Sequence, residues 1–294
     1  MKRTAFIAIV GRPNVGKSTL LNAILGEKVA IVSKRPQTTR NRITGIHTVG
    51  DDQFVFLDTP GVHRPRTKLG DFMVKTAGDT LGGADAAILV VEPREAVGDI
   101  EAGIIENIKK SGIGAILVVN KTDAVSPANV AKTIAAYAAA FDFDAVIPTA
   151  AKGGKNVDIV VTECERYLGE SMWFFPDDIV TDQSERQIAA EVIREKLLRT
   201  LNDEIPHGTA VAIEEFKEEG NMVRIRAEIY CERATHKGII IGKGGATLKK
   251  IGSLSRADLE KFFGTKVFLD LWVRVKENWR DSTFNLGDLG YREE

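Results

Sequence analysis

Short unbroken apolar runs punctuate the first half of the chain: Ala5 to Val10, Phe54 to Leu57, Ala86 to Val91, Ala115 to Val119 and Ala145 to Pro148. Helical patterns separate them. Runs of this length, rich in β-branched residues, predict an α/β domain with a mostly parallel sheet covered on both faces by helices. From Gly45 to Phe56 the pattern breaks around Gly50-Asp51-Asp52, which predicts a hairpin and one antiparallel edge strand. A last helix is expected over Asp158 to Leu168, with Gly169 placed as its C-cap.

The pattern then changes. An irregular acidic stretch containing Pro176 is followed by a predicted helix from Ser184 to Leu201 and a strand from Thr209 to Phe216. From Met222 to Cys231, apolar Val223, Ile225, Ala227, Ile229 and Cys231 alternate with Arg224, Arg226, Glu228 and Tyr230. A glycine cluster, a helix to about Phe263 and a final strand with Val267, Leu269, Leu271, Val273 and Val275 on one face complete the series. Period-two alternation means one buried face and one wet face, hence a smaller α+β domain with helices on one side of its sheet. The expected division is residues 1–170, a linker over 171–182, and a second domain with a C-terminal tail over 183–294.

Composition adds mainly exclusions. With 294 residues, 44% hydrophobic and 28% charged, the chain has room for two cores, and a disordered, collagen-like or disulfide-stapled protein is excluded. Cys164 and Cys231 lie far apart and form no C-x-x-C, which fits a reducing compartment and argues against a thiolate metal site. No run approaches the roughly 18 apolar residues of a membrane helix. Met1-Lys2-Arg3 and the run after it imitate a secretion signal, but the run is too short and ends in Gly11 and Pro13. The formal net charge of −1 argues against a nucleic-acid partner only as an average. Lys237 to Arg280 holds 10 basic and 4 acidic residues, which leaves 30 basic against 37 acidic elsewhere.

The chemistry is concentrated in short motifs. Gly11-Arg12-Pro13-Asn14-Val15-Gly16-Lys17-Ser18 follows the first strand and opens a helix at Thr19. Its glycines let successive N–H groups face phosphate oxygens, and the helix N-terminus adds partial positive charge. Lys17 is expected on the β- and γ-phosphates and the Ser18 hydroxyl on Mg²⁺. Asp58-Thr59-Pro60-Gly61 ends a second strand, so the Asp58 carboxylate can hold Mg²⁺ through water and the Gly61 N–H can meet the γ-phosphate. Asn120-Lys121-Thr122-Asp123 ends another. Asp123 can accept guanine N1–H and N2–H₂, which adenine does not offer, while Asn120 braces the loops and the Lys121 stem covers the ring. The nucleotide is therefore GTP or GDP. The polar stretch Ser33 to Arg40 occupies the place of a switch loop, with one threonine, Thr38 or Thr39, as third Mg²⁺ ligand. A water-orienting glutamine would follow Gly61, but Val62 stands there, so slow intrinsic hydrolysis is expected. His63 is a further candidate.

In the second domain Ile239-Ile240-Ile241-Gly242-Lys243-Gly244-Gly245 contains a G-x-x-G between an apolar run and a helix. A KH module uses such a loop to clamp the backbone of about four nucleotides. Helix, strand, strand, helix, helix, strand is the type II KH order. Lys243, Lys249, Lys250, Arg256 and Lys266 are the expected phosphate contacts.

Together GRPNVGKSTLLNAILG, PQTTRNRITGI, FLDTPGVH, NKTD, DQSERQIAAEVIREKL, IIIGKGGATLKKIG and LDLWVRVKENWRDS resemble the Era-type bacterial GTPases with a C-terminal KH domain, over Arg3 to Asp281. The resemblance implies a cytoplasmic, monomeric GTPase that binds 16S ribosomal RNA near its 3′ end and assists maturation of the small (30S) subunit. For some members it also implies peripheral association with the cytoplasmic face of the inner membrane. It selects Thr39, before an arginine, as the switch threonine. With Asn14 beside an apolar residue at the glutamine position, K⁺ becomes a candidate cofactor. Lys17, Asn14, Thr39 and Gly61 are then the expected catalytic set. Where the family carries Ser-Ala after the last strand of the first domain, this chain has Ala150-Ala151, and the Ala151 N–H is expected to meet guanine O6. Arg233 to Lys237 also departs from the usual sequence. A rival reading, an RNA-binding protein whose nucleotide is structural, follows from Val62; a P-loop kinase leaves the N-K-x-D unexplained.

Overall fold

The apolar runs become strands of a seven-stranded sheet in a computed structural model that describes residues 1–202 and 204–291, the first four in its interior and Ala145 to Pro148 at one edge. The last three residues of the expected tail lie outside the described residues. In chain order the first unit contains β1 (Arg3–Val10), α1 (Lys17–Leu25), β2 (Ile43–Val49), β3 (Asp52–Asp58), α2 (Lys68–Gly82), β4 (Ala86–Val91), α3 (Asp99–Ser111), β5 (Gly114–Val119), α4 (Pro127–Ala140), β6 (Ala145–Pro148), α5 (Val157–Cys164) and β7 (Gly169–Glu170). Strand order is β2-β3-β1-β4-β5-β6, with β2 antiparallel to β3 and the other neighbours in that order parallel.

Successive side chains of each central strand enter opposite cores. Ile7, Ile9, Phe54, Phe56, Ile88, Val90, Ile116 and Val118 pack with Leu20, Leu21 and Ile24 of α1 and Val157, Val160 and Cys164 of α5. Ala8, Val10, Ala87, Leu89, Val91, Leu117 and Val119 pack on the other face with Ile104, Ile105 and Ile108 of α3 and Tyr137 of α4. Each fully buried aliphatic side chain contributes about 1.5–3 kcal/mol relative to exposure, so the two-sided pattern fixes the strand register. The parallel strands all end on one edge, and the loops leaving β1, β3, β5 and β6 there carry the polar motifs.

Gly169 differs from the expected helix cap. α5 stops at Cys164, a 3-10 turn covers Glu165–Tyr167, and Gly169 pairs with Thr4 of β1. The reason lies in β1, which meets β4 only from Ile7 onward, so the first half of that edge has backbone groups to satisfy. Residues 171–182, the expected linker, form no helix or strand but are hydrogen-bonded to β1, β3 and β2.

The chain divides into two compact units, residues 1–66 with 70–182 and residues 67–69 with 183–294. The second contains α6 (Glu185–Thr200), β8 (Ala210–Glu219), β9 (Met222–Cys231), α7 (Ala234–Ile241), α8 (Ala246–Phe263), β10 (Lys266–Val275) and α9 (Thr283–Asp288). Ser184 caps α6 through a capping box with Gln187, two otherwise orphan N–H groups being satisfied at once. The sheet order is β10-β9-β8, with β10 parallel and β8 antiparallel to β9. Val223, Ile225, Ala227, Ile229 and Cys231 are buried against α6, α7 and α8. Val275 departs from the expected inward row: it ends the strand and is exposed. Trp279, fully buried, donates from Nε1 to the Gly208 carbonyl at 3.0 Å and stacks on Tyr291.

Candidate functional site

The loop from Gly11 to Gly16 turns directly from β1 into α1, and only glycine fits at its end. Gly16 has φ of +103° and a Cβ there would lie 2.2 Å from Asn120 Nδ2. Lys17 is buried, its ammonium donating to the carbonyls of Gly11 at 3.1 Å and Arg12 at 3.0 Å. The Ser18 hydroxyl donates to Asp58 Oδ2 at 2.6 Å, and Thr39 Oγ1 lies 2.9 Å from Ser18 Oγ and 3.5 Å from Asp58 Oδ2. Thr38 points elsewhere, its hydroxyl donating to the Arg35 carbonyl at 2.7 Å. Thr59 is a structural residue here, its hydroxyl on the Ile9 carbonyl at 2.8 Å. The Val62 N–H donates to Gly11 O at 3.1 Å, and a Cβ on Gly61 would lie 2.6 Å from Pro13 N. These contacts hold the D-x-x-G loop against the phosphate loop.

Burial lowers the pKa of Lys17 despite the neighbouring Asp58 charge. Burial likewise raises that of Asp58, against the opposing pull of Lys17 and the hydroxyls of Ser18 and Thr39. Burial is the larger influence on both, and Asp58 Oδ1 is buried without a partner. Three oxygen donors and one unsatisfied carboxylate oxygen suit a hard cation such as Mg²⁺, which keeps several ligands from phosphate and water. Among the described residues no group of three or more His, Cys, Asp or Glu could hold a metal without such help.

Asn120 ties the base end together. Its Nδ2 donates to the Val15 carbonyl at 2.9 Å, and its Oδ1 accepts from the Ala151 N–H at 3.0 Å and the Thr149 hydroxyl at 3.4 Å. The Ala151 N–H, expected from the sequence to meet guanine, is thus occupied in this structure by Asn120. Ala150, also buried, exchanges backbone hydrogen bonds with Lys155. Lys121 donates to the Asn14 carbonyl at 2.6 Å and pairs with Glu92. The Thr122 hydroxyl donates to the Thr149 carbonyl at 2.8 Å, and Asp123 is exposed. Asn14, exposed, donates from Nδ2 to the Lys34 carbonyl at 2.9 Å.

Several participants escape any local motif. Glu92 anchors Lys121, and buried Glu101 of α3 lies 3.4 Å from the Arg12 guanidinium. Apolar neighbours and long sequence separation hide both. His63 is more engaged than a surface histidine: Nδ1–H donates to the Gly61 carbonyl at 2.9 Å while Nε2 accepts from Gln37 at 3.3 Å. One tautomer satisfies both bonds and links the switch loop to the D-x-x-G loop.

In the second unit α7 ends at Ile241, and a 3-10 turn over Lys243–Gly245 leads into α8. Gly242 has φ of +74° and a Cβ would meet Thr247 Oγ1 at 2.2 Å. Gly244 and Gly245 are also left-handed, which bares the backbone at the head of α8. Lys243, Lys249, Lys250, Arg256 and Lys266 are exposed, and Ile239 is half exposed. Ile240 corrects the expected RNA-facing set. It is fully buried in the core with Ile193, Ile229 and Ile251, so its side chain supports the loop from beneath. Ile241 and Gly242 are partly exposed.

Comparison with known proteins agrees with this arrangement. Residues 6–121 match the family described as 50S ribosome-binding GTPase, and residues 204–280 match the KH domain. The chain is 49% identical over 292 residues to the GTPase Era of Clostridium acetobutylicum, covering 99% of both chains. It is 47% identical over 294 residues to that of Clostridium perfringens, covering 100% of this chain and 99% of the other. A crystal structure of an Aquifex aeolicus Era variant bound to GDP·AlF4⁻ superposes with a TM-score of 0.95 at 38% identity, covering 99% of this chain and 100% of that one. A crystal structure of Era with MgGDPNP and nucleotides 1506–1542 of 16S ribosomal RNA gives a TM-score of 0.95 at 38% identity, with both chains covered fully.

Proposed function

The chain belongs to the Era family of GTPases with a C-terminal KH domain, and from that premise we propose that it is a GTP-controlled switch that binds 16S ribosomal RNA near its 3′ end and assists maturation of the small ribosomal subunit. The observation that carries the reading is the convergence of Lys17, Ser18, Thr39 and Asp58 at the end of the phosphate loop, with Asn120 and Lys121 bracing that loop from the base side. The RNA assignment draws on the exposed lysines around Gly242–Gly245 and on the RNA bound in one solved relative.

Ser18, Thr39 and Asp58 would hold Mg²⁺, which supplies positive charge for the phosphate oxygens when bound. The residues of the chain do the rest. The N–H groups of Asn14 to Thr19 line the phosphate loop, and Lys17, buried and fixed by two carbonyls, brings its ammonium to the phosphate oxygens. The exposed Asp123 carboxylate accepts the two guanine donors, and the Lys121 stem covers the ring. Thr39 belongs to the loop that must close over the γ-phosphate, and Gly61 to the loop that meets it. Val62 offers no group to orient water, so hydrolysis is slow without help. Asn14 is the candidate for K⁺, its amide oxygen being suited to a monovalent cation. In the second unit Gly242 to Gly245 clamp the RNA backbone, with Lys243, Lys249, Lys250 and Arg256 on phosphates and Ile239 and Ile241 against bases.

Single-turnover GTP hydrolysis with and without K⁺ and the 3′-terminal RNA tests the enzyme. Acceleration by either is expected; stimulation by neither favours the rival in which nucleotide is only structural. Cosedimentation with isolated 30S and 50S subunits tests the partner, with retention on 30S expected. Peripheral membrane association rests on the family resemblance, since no described helix is long and apolar enough to cross a membrane. Flotation with anionic vesicles tests it, and protein left at the bottom of the gradient removes it.

A further inference from the structure

Residues 171–182 cross three strands of the first unit and are fastened to each. The Ser171 N–H donates to the Lys2 carbonyl at 3.2 Å, and the Thr4 hydroxyl to the Met172 carbonyl at 3.2 Å, both on β1 or its approach. Trp173 Nε1 donates to the Asp51 carbonyl at 3.0 Å under the Lys2 ammonium, which sits 3.6 Å from the ring centre. Phe174 packs edge-on against Phe6 at 4.9 Å. On β2, the Ile46 N–H donates to the Val180 carbonyl at 2.8 Å and the Thr181 hydroxyl donates to the Thr44 carbonyl at 2.7 Å.

Gln53 of β3 is the central fastener. Its side-chain amide lies in a residue that is fully buried, and its oxygen accepts from the N–H groups of Phe174 at 2.9 Å and Phe175 at 3.1 Å. Its nitrogen donates to the Phe175 carbonyl at 2.9 Å and the Thr48 hydroxyl at 3.2 Å. All four bonds an amide side chain can make are made, which fixes both its orientation and that of the segment it holds. A buried glutamine in a strand otherwise lined by Phe54, Val55 and Phe56 is costly unless so satisfied.

The fastened segment is bonded to the strand that follows the switch loop and shares a cavity with the helix that follows the D-x-x-G loop. β2 begins at Ile43, three residues after the switch loop ends at Arg40, and as the sheet's edge it exposes backbone groups that something must cover. Phe175 and Asp182 also line an open cavity of about 230 Å³ together with Asp79 and Thr80 of α2 and Gly83 just after it, over a floor of Phe6, Val55 and Leu57. α2 is the helix after the D-x-x-G loop. Beyond Thr181 the chain enters the capped start of α6 at Ser184. We infer that residues 171–182 are a built-in reader of nucleotide state: the strap occupies the β2 edge and one wall of the α2 cavity, with Gln53 as its positioning residue. The inference rests on the reading that nucleotide and RNA binding are coupled. A shift of β2 changes the strap's bonds and a shift of α2 the cavity it walls, and the two arrangements are then weighted by whichever ligand is bound.

The test uses the full-length chain, an RNA spanning nucleotides 1506–1542 of 16S ribosomal RNA, GDP and a non-hydrolysable GTP analogue. Gln53→Leu removes the central bonds, and Thr181→Val, a milder change, removes one bond to β2. In wild type, amide exchange over 172–181 is expected to differ between the two nucleotides. In Gln53→Leu it should be roughly tenfold faster or more, since several buried hydrogen bonds disappear. Analogue affinity should be unchanged in both variants, while the ratio of RNA affinities in the two nucleotide states moves towards one. Should Gln53→Leu fail to fold, Thr181→Val carries the same comparison. A wild-type ratio above one that persists in the variants overturns the strap while leaving the switch intact. Strap exchange identical in both nucleotide states of wild type overturns it as well. A wild-type ratio of one removes the switch reading, and the strap with it.

Discussion

Replacing Asn120 by alanine should weaken the first unit and its nucleotide site together. The side chain is 2% exposed and joins three segments distant in sequence: the phosphate loop at Val15, the N-K-T-D loop itself, and the loop after β6 at Thr149 and Ala151. Truncation leaves the Val15 carbonyl and the Ala151 N–H buried without partners, each at a cost of about 1–3 kcal/mol. The Thr149 hydroxyl can rotate to another acceptor, and a water entering the vacated space recovers part of the loss, so a net cost of about 3 kcal/mol is expected. That is more than a hundredfold in the folding equilibrium. Urea unfolding followed by circular dichroism, with hydrogen exchange assigning the transition to the first unit, measures it. A fluorescent GDP analogue reports affinity, which should fall because Lys17 and the phosphate loop lose their brace. Asn120→Asp keeps an acceptor for Ala151 but sets an oxygen against the Val15 carbonyl, so it should lose at least as much. A cost below about 1 kcal/mol for Asn120→Ala, with GDP affinity retained, would falsify the bracing role.

Asp123→Asn should move base preference from GTP towards xanthosine triphosphate, because the amide donates where the carboxylate accepted; competition binding that still favours GTP removes the base assignment. Lys249→Ala with Lys250→Ala should weaken RNA binding across sequences. The slope of log affinity against log salt should fall by about 1.4, roughly 0.7 for each single-strand phosphate that the protein no longer neutralises. An unchanged slope places the RNA elsewhere. Cys164 tests the core. Burial pushes its thiol up to about 12, above the unfolded value of about 9, so the native state holds a proton that the unfolded state releases. Its contribution to stability is full below about pH 9 and is lost as pH rises towards 12. Wild type should therefore lose more stability than Cys164→Ala between about pH 8 and about pH 10.5 in urea titrations; equal losses contradict the assignment.

Contiguous motifs are legible because local sequence encodes local backbone. Gly16 must be glycine to clear Asn120 and Gly242 to clear Thr247, and the apolar runs of the first unit are the strands of its sheet. Contacts formed by distant residues leave no such trace. Gln53 stands in a run that reads as hairpin strand, and nothing near it in sequence announces the segment 121 residues away that it holds. Glu101 and Glu92 look like ordinary charges of a helix and a loop until the fold sets them beside Arg12 and Lys121. The departures from expectation have the same origin. Ile240 reads with Ile239 and Ile241 as one apolar lining, yet on a helix three consecutive residues cannot share a face, and the middle one enters the core. The expected helix cap at Gly169 gives way to an edge of β1 that a helix cannot satisfy.

The central claim is that one half of the chain governs the other, and titration of the 3′-terminal 16S RNA against the protein in its two nucleotide states tests it most directly. At fixed salt, the form holding a non-hydrolysable GTP analogue should bind the RNA more tightly than the GDP form, and by linkage the RNA should tighten the analogue by the same factor. Equal RNA affinity in the two states, with both nucleotides bound, would contradict it.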